Sequence, residues 1–105
     1  MIKISELTFS THLTAHRTDR LATIKQVGFG QVIKEQWYTN TYHYLTDTGV
    51  VLVVDPIKKL CITAYFINEW ELAKLYHGKV PKPIQRRVSK NIAAGLVNFH
   101  GRAVR

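Results

Sequence analysis

The sequence predicts an α+β fold: an N-terminal helix, a four-stranded antiparallel meander sheet, and C-terminal helices packed on one face of that sheet. Three observations predict it. Leu13, Arg17, Arg20, Ile24 and Val27 recur at spacings of three and four between residues 12 and 27. Short apolar and β-branched runs, separated by turn residues, fill residues 31 to 67. Helical spacing returns beyond residue 68. At 105 residues, 46% of them apolar, the chain suits a single domain over residues 1–105 with one ordinary core.

Residues 2 to 9 alternate loosely through Ile2, Ile4, Leu7 and Phe9, which suits a short strand or an extended arm. Ser10-Thr11 offers an N-cap. From His12 to Val27, the residues Leu13, Arg17, Arg20, Ile24 and Val27 follow at helical intervals with Leu21 beside them, so one helix is expected. Gly28-Phe29-Gly30 ends it. Gln31 to Tyr38 and Thr41 to Thr46 read as strands across a Thr39-Asn40 turn, and Asp47-Thr48-Gly49 is a hairpin signal. Val50 to Val54 suits a central strand, and Leu60 to Ile67 follows after the turn at Asp55-Pro56-Ile57-Lys58-Lys59. Consecutive strands joined by short turns make a meander. Asn68 caps a short helix holding Trp70, Leu72, Ala73 and Leu75, with Gly78 near its end. Pro81 and Pro83 open a last helix at about residues 83–99. Its Ile84, Val88, Ile92, Leu96 and Phe99 form an apolar stripe, and Arg86, Arg87 and Lys90 fall away from it.

Charge is unevenly distributed. Residues 1 to 78 carry eight Lys/Arg against seven Asp/Glu, whereas residues 79 to 105 carry Lys79, Lys82, Arg86, Arg87, Lys90, Arg102 and Arg105 with no acid. Nearly all of the net charge of +8 is therefore local. Such a field accelerates encounter with polyanions and raises affinity through counterion release. Nucleic acid is the expected partner, RNA before DNA, with an acidic protein as the alternative. Lys82, Arg86, Arg87 and Lys90, together with His12 and Arg17, are the expected nucleic-acid-binding residues.

Several classes are excluded. Met1 to Glu6 lacks the apolar core of a secretory signal, and no run approaches a membrane span, so a cytoplasmic protein without a membrane partner is expected. One cysteine, Cys61, rules out an intramolecular disulfide, and its apolar neighbours Leu60 and Ile62 mark it as a buried thiol. No cofactor is expected: Gly28-Phe29-Gly30 precedes a strand, not a helix, so it is no dinucleotide or phosphate loop. Aromatic residues crowd the first hairpin (Trp37, Tyr38, Tyr42, Tyr44), and Tyr65, Phe66 and Trp70 follow. Facing solvent beside basic residues they would stack bases. Trp37 and Trp70 are instead assigned to the core, because aromatic burial dominates small cores.

The chemistry-bearing motif is His12-x3-His16-Arg17-x2-Arg20. His12, His16 and Arg20 share nearly one helix face, while Arg17 and Arg20 interrupt the apolar stripe between Leu13 and Ile24. Arginine on a core-facing stripe is costly unless it is paired or lies at a cleft edge. Imidazole moves protons near neutral pH, and guanidinium holds phosphate, which is what cleavage of an RNA phosphodiester needs. An exposed His/Arg face with local pairing to Asp19 is the competing reading. His12 and His16 also have the i, i+4 spacing of two metal ligands. Leu13 stands where a zincin glutamate would follow, and His43, His77 and His100 are scattered, so no metal is assigned.

His12-x3-His16-Arg17-x2-Arg20, Val50-Val51-Leu52-Val53-Val54-Asp55 and Ile62-Thr63-Ala64-Tyr65 together resemble the small bacterial ribonuclease toxins with a colicin-D/RelE-like fold, over residues 12 to 66. The resemblance implies metal-independent RNA cleavage, with His16 as the acid/base group, Arg20 as the phosphate holder, and Thr63 and Tyr65 supplying hydroxyls at the scissile phosphate. The basic C-terminal helix departs from those toxins, whose sheet often ends the chain. A non-enzymatic nucleic-acid-binding or nucleoprotein-inhibiting module from a mobile element therefore stands as the alternative to an endoribonuclease, and a protein–protein adaptor with a basic surface as a third.

Overall fold

A computed structural model describes residues 3–97 and, within them, every side chain but that of His16. Five strands form one sheet: β1 (Thr8–Phe9), β2 (Val32–Tyr38), β3 (Thr41–Thr46), β4 (Val50–Asp55) and β5 (Leu60–Phe66), in the order β1-β5-β4-β3-β2. The expected four-stranded antiparallel meander is thereby corrected. β2 to β5 pair antiparallel in sequence order, but β1 adds a fifth strand that runs parallel to β5, through Thr8 with Leu60 and Phe9 with Cys61, and makes the sheet mixed. Two residues carry no readable alternation, and their partner lies some fifty residues away. Only the folded chain brings the two together. A single 3-10 turn over Ile4–Glu6 precedes β1.

The helices also depart from expectation, since they cover both faces of the sheet. The region expected as one helix is two, α1 (Thr11–His16) and α2 (Thr18–Val27), broken at Arg17 (φ −131°, ψ 40°). Leu13, Leu21 and Ile24 pack from these helices against Tyr44, Leu52, Val54 and Ala64 on one face. α3 (Glu69–Leu75) and α4 (Lys82–Ala93) lie on the other, where Leu72, Ile84 and Val88 meet Leu45, Val51 and Ile67. Alternation along β4 explains how one strand serves two cores: Val50, Leu52 and Val54 point to the first, and Val51 and Val53 to the second. The last helix, expected over 83–99, ends at Ala93; Phe99 of its expected stripe, with His100, Arg102 and Arg105, lies outside the described residues.

The β3–β4 turn ties the layers together. Thr48 Oγ1 donates to the Gly28 carbonyl at the end of α2 (2.8 Å), and the buried Asn91 amide of α4 donates to the Thr48 carbonyl (2.9 Å). Gly49 takes a positive φ of 83°, and a Cβ there would meet Asn91 Nδ2 at 2.6 Å. Only glycine fits that junction.

Candidate functional site

The His/Arg helices serve the edge of the sheet first. β1 pairs with only the first two residues of β5, so the outer carbonyls further along β5 need other partners. Ser10 supplies one. Its Oγ donates to the Ile62 carbonyl (2.6 Å) while accepting the Leu13 amide (3.2 Å) as the N-cap of α1. Ile62 is the extra residue of a bulge, since Val53 pairs with Thr63 and Val54 with Cys61. Arg20 reaches the next open position, with its guanidinium 3.5 Å from the Ala64 carbonyl. This is the pairing that makes an arginine tolerable on an apolar stripe. Burial, and secondarily the positive charge of Arg17, lowers the Arg20 pKa, and its Nε is buried without a hydrogen-bond partner. Both effects follow from drawing a cation against an apolar layer.

The four residues expected at a cleavage site are not gathered on that edge. Arg20 approaches β5 from the α2 side. Thr63 and Tyr65, in register with Val53 and Val51, point to the opposite face. There the Tyr65 hydroxyl donates to Glu71 of α3 (3.2 Å). His16 ends α1, and its side chain lies outside those described. His12 is exposed on α1. Among the other expected binding residues, Lys82, Arg86 and Lys90 stand exposed on α4, while Arg87 is half-buried with its Nε unpartnered.

Tyr65 opens onto a different site. Between the face of β2 and β3 and the helix α3 lies a cleft of about 470 Å³. Its floor is apolar, with Leu45, Val51 and Ile67. Gln36, Tyr38 and His43 line the strand side, and Trp70, Glu71, Lys74 and His77 the helix side. Local sequence explains the helix side. Asn68 caps α3 by accepting the Glu71 amide (2.7 Å), and its own amide returns a hydrogen bond to Glu71 Oε1 (2.8 Å). That reciprocal box fixes Glu71 in the first turn and aims it at the sheet. Leu72 then faces the core, which turns Trp70, two residues earlier, to the solvent side.

The core assignment of both tryptophans is therefore corrected. Trp70 is 70% exposed and Trp37 48%, and Tyr38 joins them at 49%. Trp37 lies on the α1–α2 side of the sheet, tilted against Tyr42 (4.7 Å) and sharing that face of β2 with Glu35. Tyr38 and Trp70 stand at the cleft among cations. Lys74 lies over the Trp70 ring (5.6 Å), and Lys34, on the same face of β2 as Gln36, lies over Tyr76 (4.8 Å). His43 packs its ring on Tyr38 (4.2 Å). His77 takes a left-handed φ of 53°, a region that histidine enters more readily than most side chains.

The titratable groups of the cleft are displaced in different senses. Burial lowers the His43 pKa, favouring neutral imidazole. Burial raises that of Glu71, against the opposing hydrogen bonds from Tyr65 and Asn68 and the charge of Lys74. Burial, then the charge of Glu71, drives the Tyr65 phenol far above its ordinary range, so it acts as a fixed donor. By comparison the Cys61 thiol, pushed up to about 12 by burial, is inert core.

No family model, curated protein or solved structure matches the chain. Sequence reasoning missed the cleft because its residues come from β2, β3, β4, β5 and α3, with no linear spacing to connect them. One signal was readable: Asn68-x-x-Glu71 is a capping box, and a tryptophan between its two ends falls on the outer face. Among the described residues, no helix is long and apolar enough to cross a membrane.

Proposed function

We propose that the protein binds single-stranded RNA, taking an unstacked base into the cleft between β2–β3 and α3. The observation that carries this reading is the placing of two exposed aromatic rings, Tyr38 and Trp70, at the mouth of a cleft with an apolar floor, with Lys74 over the Trp70 ring. Unpaired bases stack on such rings, and lysines meet the flanking phosphates. Duplex RNA, with its bases already stacked, cannot use the rings. The net charge of +8 and the exposed Lys82, Arg86 and Lys90 of α4 supply the long-range attraction. One buried cysteine suits a reducing cytoplasm.

The test is fluorescence anisotropy with a labelled unstructured single strand that includes guanosine and a hairpin duplex of equal length. The single strand should bind more tightly, with an affinity that falls as salt rises, and Trp70→Ala should weaken it roughly tenfold. Equal binding of strand and duplex, with no effect of Trp70→Ala, would remove the reading.

A second reading, metal-independent phosphodiester cleavage, is favoured by the neutral His43 and the carboxyl of Glu71 sharing one cleft with opposed pKa displacements. The resemblance to ribonuclease toxins points the same way but names His16. Total RNA incubated with the protein should then yield fragments ending in cyclic phosphate. Parallel His43→Ala and His16→Ala variants assign the proton-transfer group, and RNA left intact by the unaltered protein ends this reading.

A further inference from the structure

We infer that the cleft selects guanine, with the Glu71 carboxylate accepting the two adjacent donors of its base-pairing edge, N1–H and N2–H. The inference rests on the reading of the cleft as a site for single-stranded RNA. It starts from what holds Glu71. Tyr65 Oη donates to Oε2 (3.2 Å) and Asn68 Nδ2 to Oε1 (2.8 Å), one donor to each oxygen. The carboxylate is thus clamped in one orientation, and each oxygen keeps a lone pair for a further donor. Both clamping groups are themselves anchored: Asn68 is the buried cap of α3, and Tyr65 stands in the middle of β5. This is a preorganised acceptor pair on rigid elements, facing an apolar floor.

An acceptor pair of that shape discriminates among bases. Guanine presents two neighbouring N–H donors, which match the two oxygens as a bidentate pair. Adenine places the N1 acceptor beside its amino group, and cytosine places N3 there, so each sets a lone pair against a carboxylate oxygen. Uracil has a single N–H flanked by two carbonyls. Rejection is the stronger half of the selection, because a half-buried carboxylate facing an acceptor has lost water and gained no partner. Guanine also carries the acceptors O6 and N7, and the donors Gln36 and Lys74 stand on the opposing walls. Tyr38 and Trp70 are left to stack the ring, a contact indifferent to base identity.

The experiment measures affinity for three labelled hexaribonucleotides, all uridine except for a central guanosine, inosine or adenosine. The guanosine strand should bind roughly tenfold tighter than the adenosine strand, with inosine, which lacks the N2 amino group, between them. Glu71→Gln should bring the guanosine-to-adenosine ratio close to one, since the carboxamide has only one acceptor. Trp70→Ala should weaken all three strands while preserving their order. Equal affinities for all three on the unaltered protein would overturn guanine selection and leave the RNA reading standing. Absence of binding by any of them would overturn both. Should Glu71→Gln fail to fold because it also disturbs the α3 cap, the inosine comparison on the unaltered protein decides alone.

Discussion

The two faces of the sheet treat their polar groups in opposite ways. On the face under α1 and α2, the distinctive polar side chains are consumed in closing the structure: Ser10 and Arg20 reach the open carbonyls of β5 at Ile62 and Ala64. On the face under α3, comparable groups hold one another beside an open cleft. Tyr65, Asn68 and Glu71 bond to one another around a cleft, with Trp70 and Tyr38 exposed beside it. An unusual residue on a helix stripe thus has two different explanations, and sequence pattern cannot separate them. Arginine at position 20 looked like chemistry and covers a sheet edge. The tryptophan at position 70 looked like core and faces water.

The comparison can be broken by asking which face carries stability and which carries binding. The largest effect is expected at Leu13, fully buried under α1. Leu13→Ala should destabilise the fold by about 2–5 kcal/mol in urea denaturation. A loss within the range of an ordinary surface substitution would mean that α1 is not part of the cooperative core.

At the junction of the two layers, Gly49→Ala meets both a positive φ and the Asn91 amide. A loss of about 1–3 kcal/mol is expected, and combining it with Asn91→Ala, which removes the obstructing amide, should cost less than the sum of the two single changes. Additive losses would show that the close approach is not the cause.

Next in size come paired substitutions on the two faces. Trp70→Ala should change stability by less than about 0.5 kcal/mol, because the ring is exposed, while weakening RNA roughly tenfold. Arg20→Met should behave in the reverse manner, lowering stability through the uncovered Ala64 carbonyl and leaving RNA affinity within about twofold. If Arg20→Met instead abolishes RNA binding with stability intact, the functional face has been assigned to the wrong side of the sheet.

The smallest effect is the pH dependence set by His43. Burial lowers its pKa in the folded protein below the ordinary 6.5. Between those two values the unfolded chain binds more protons than the folded one, so stability is fully present above the ordinary value and falls as pH drops through the window. Urea midpoints measured at about pH 7.5 and about pH 5.5 should differ less for His43→Phe than for the unaltered protein. An identical difference in both proteins would place the dependence elsewhere.

Legibility followed the range of the interaction. Ser10, Asn68 and the glycine at 28 act within one helical turn of themselves, and their capping roles follow from residue type. β2 to β5 were readable because each carries several residues of β-branched or alternating character between turn signals. β1 was not, being two residues long with a distant parallel partner. The break between α1 and α2 left no glycine or proline at Arg17 to announce it. For the candidate site, the hydroxyl of Tyr65 is legible as a polar group on an apolar strand, whereas its partner Glu71 carries no signal, because an acid in the first turn of a helix is ordinary there.

By itself, then, the sequence determined the α+β class, the identity of most elements, the buried thiol at Cys61 and the basic tilt of the C-terminal quarter, all of which depend on local periodicity or on composition. Tertiary structure alone decided that the sheet has a fifth, parallel strand, that helices cover both its faces, and that Tyr38, His43, Tyr65, Trp70 and Glu71 share one cleft. The physical reason is that a strand exposes its side chains alternately to two faces, and which face stays open depends on where distant helices dock.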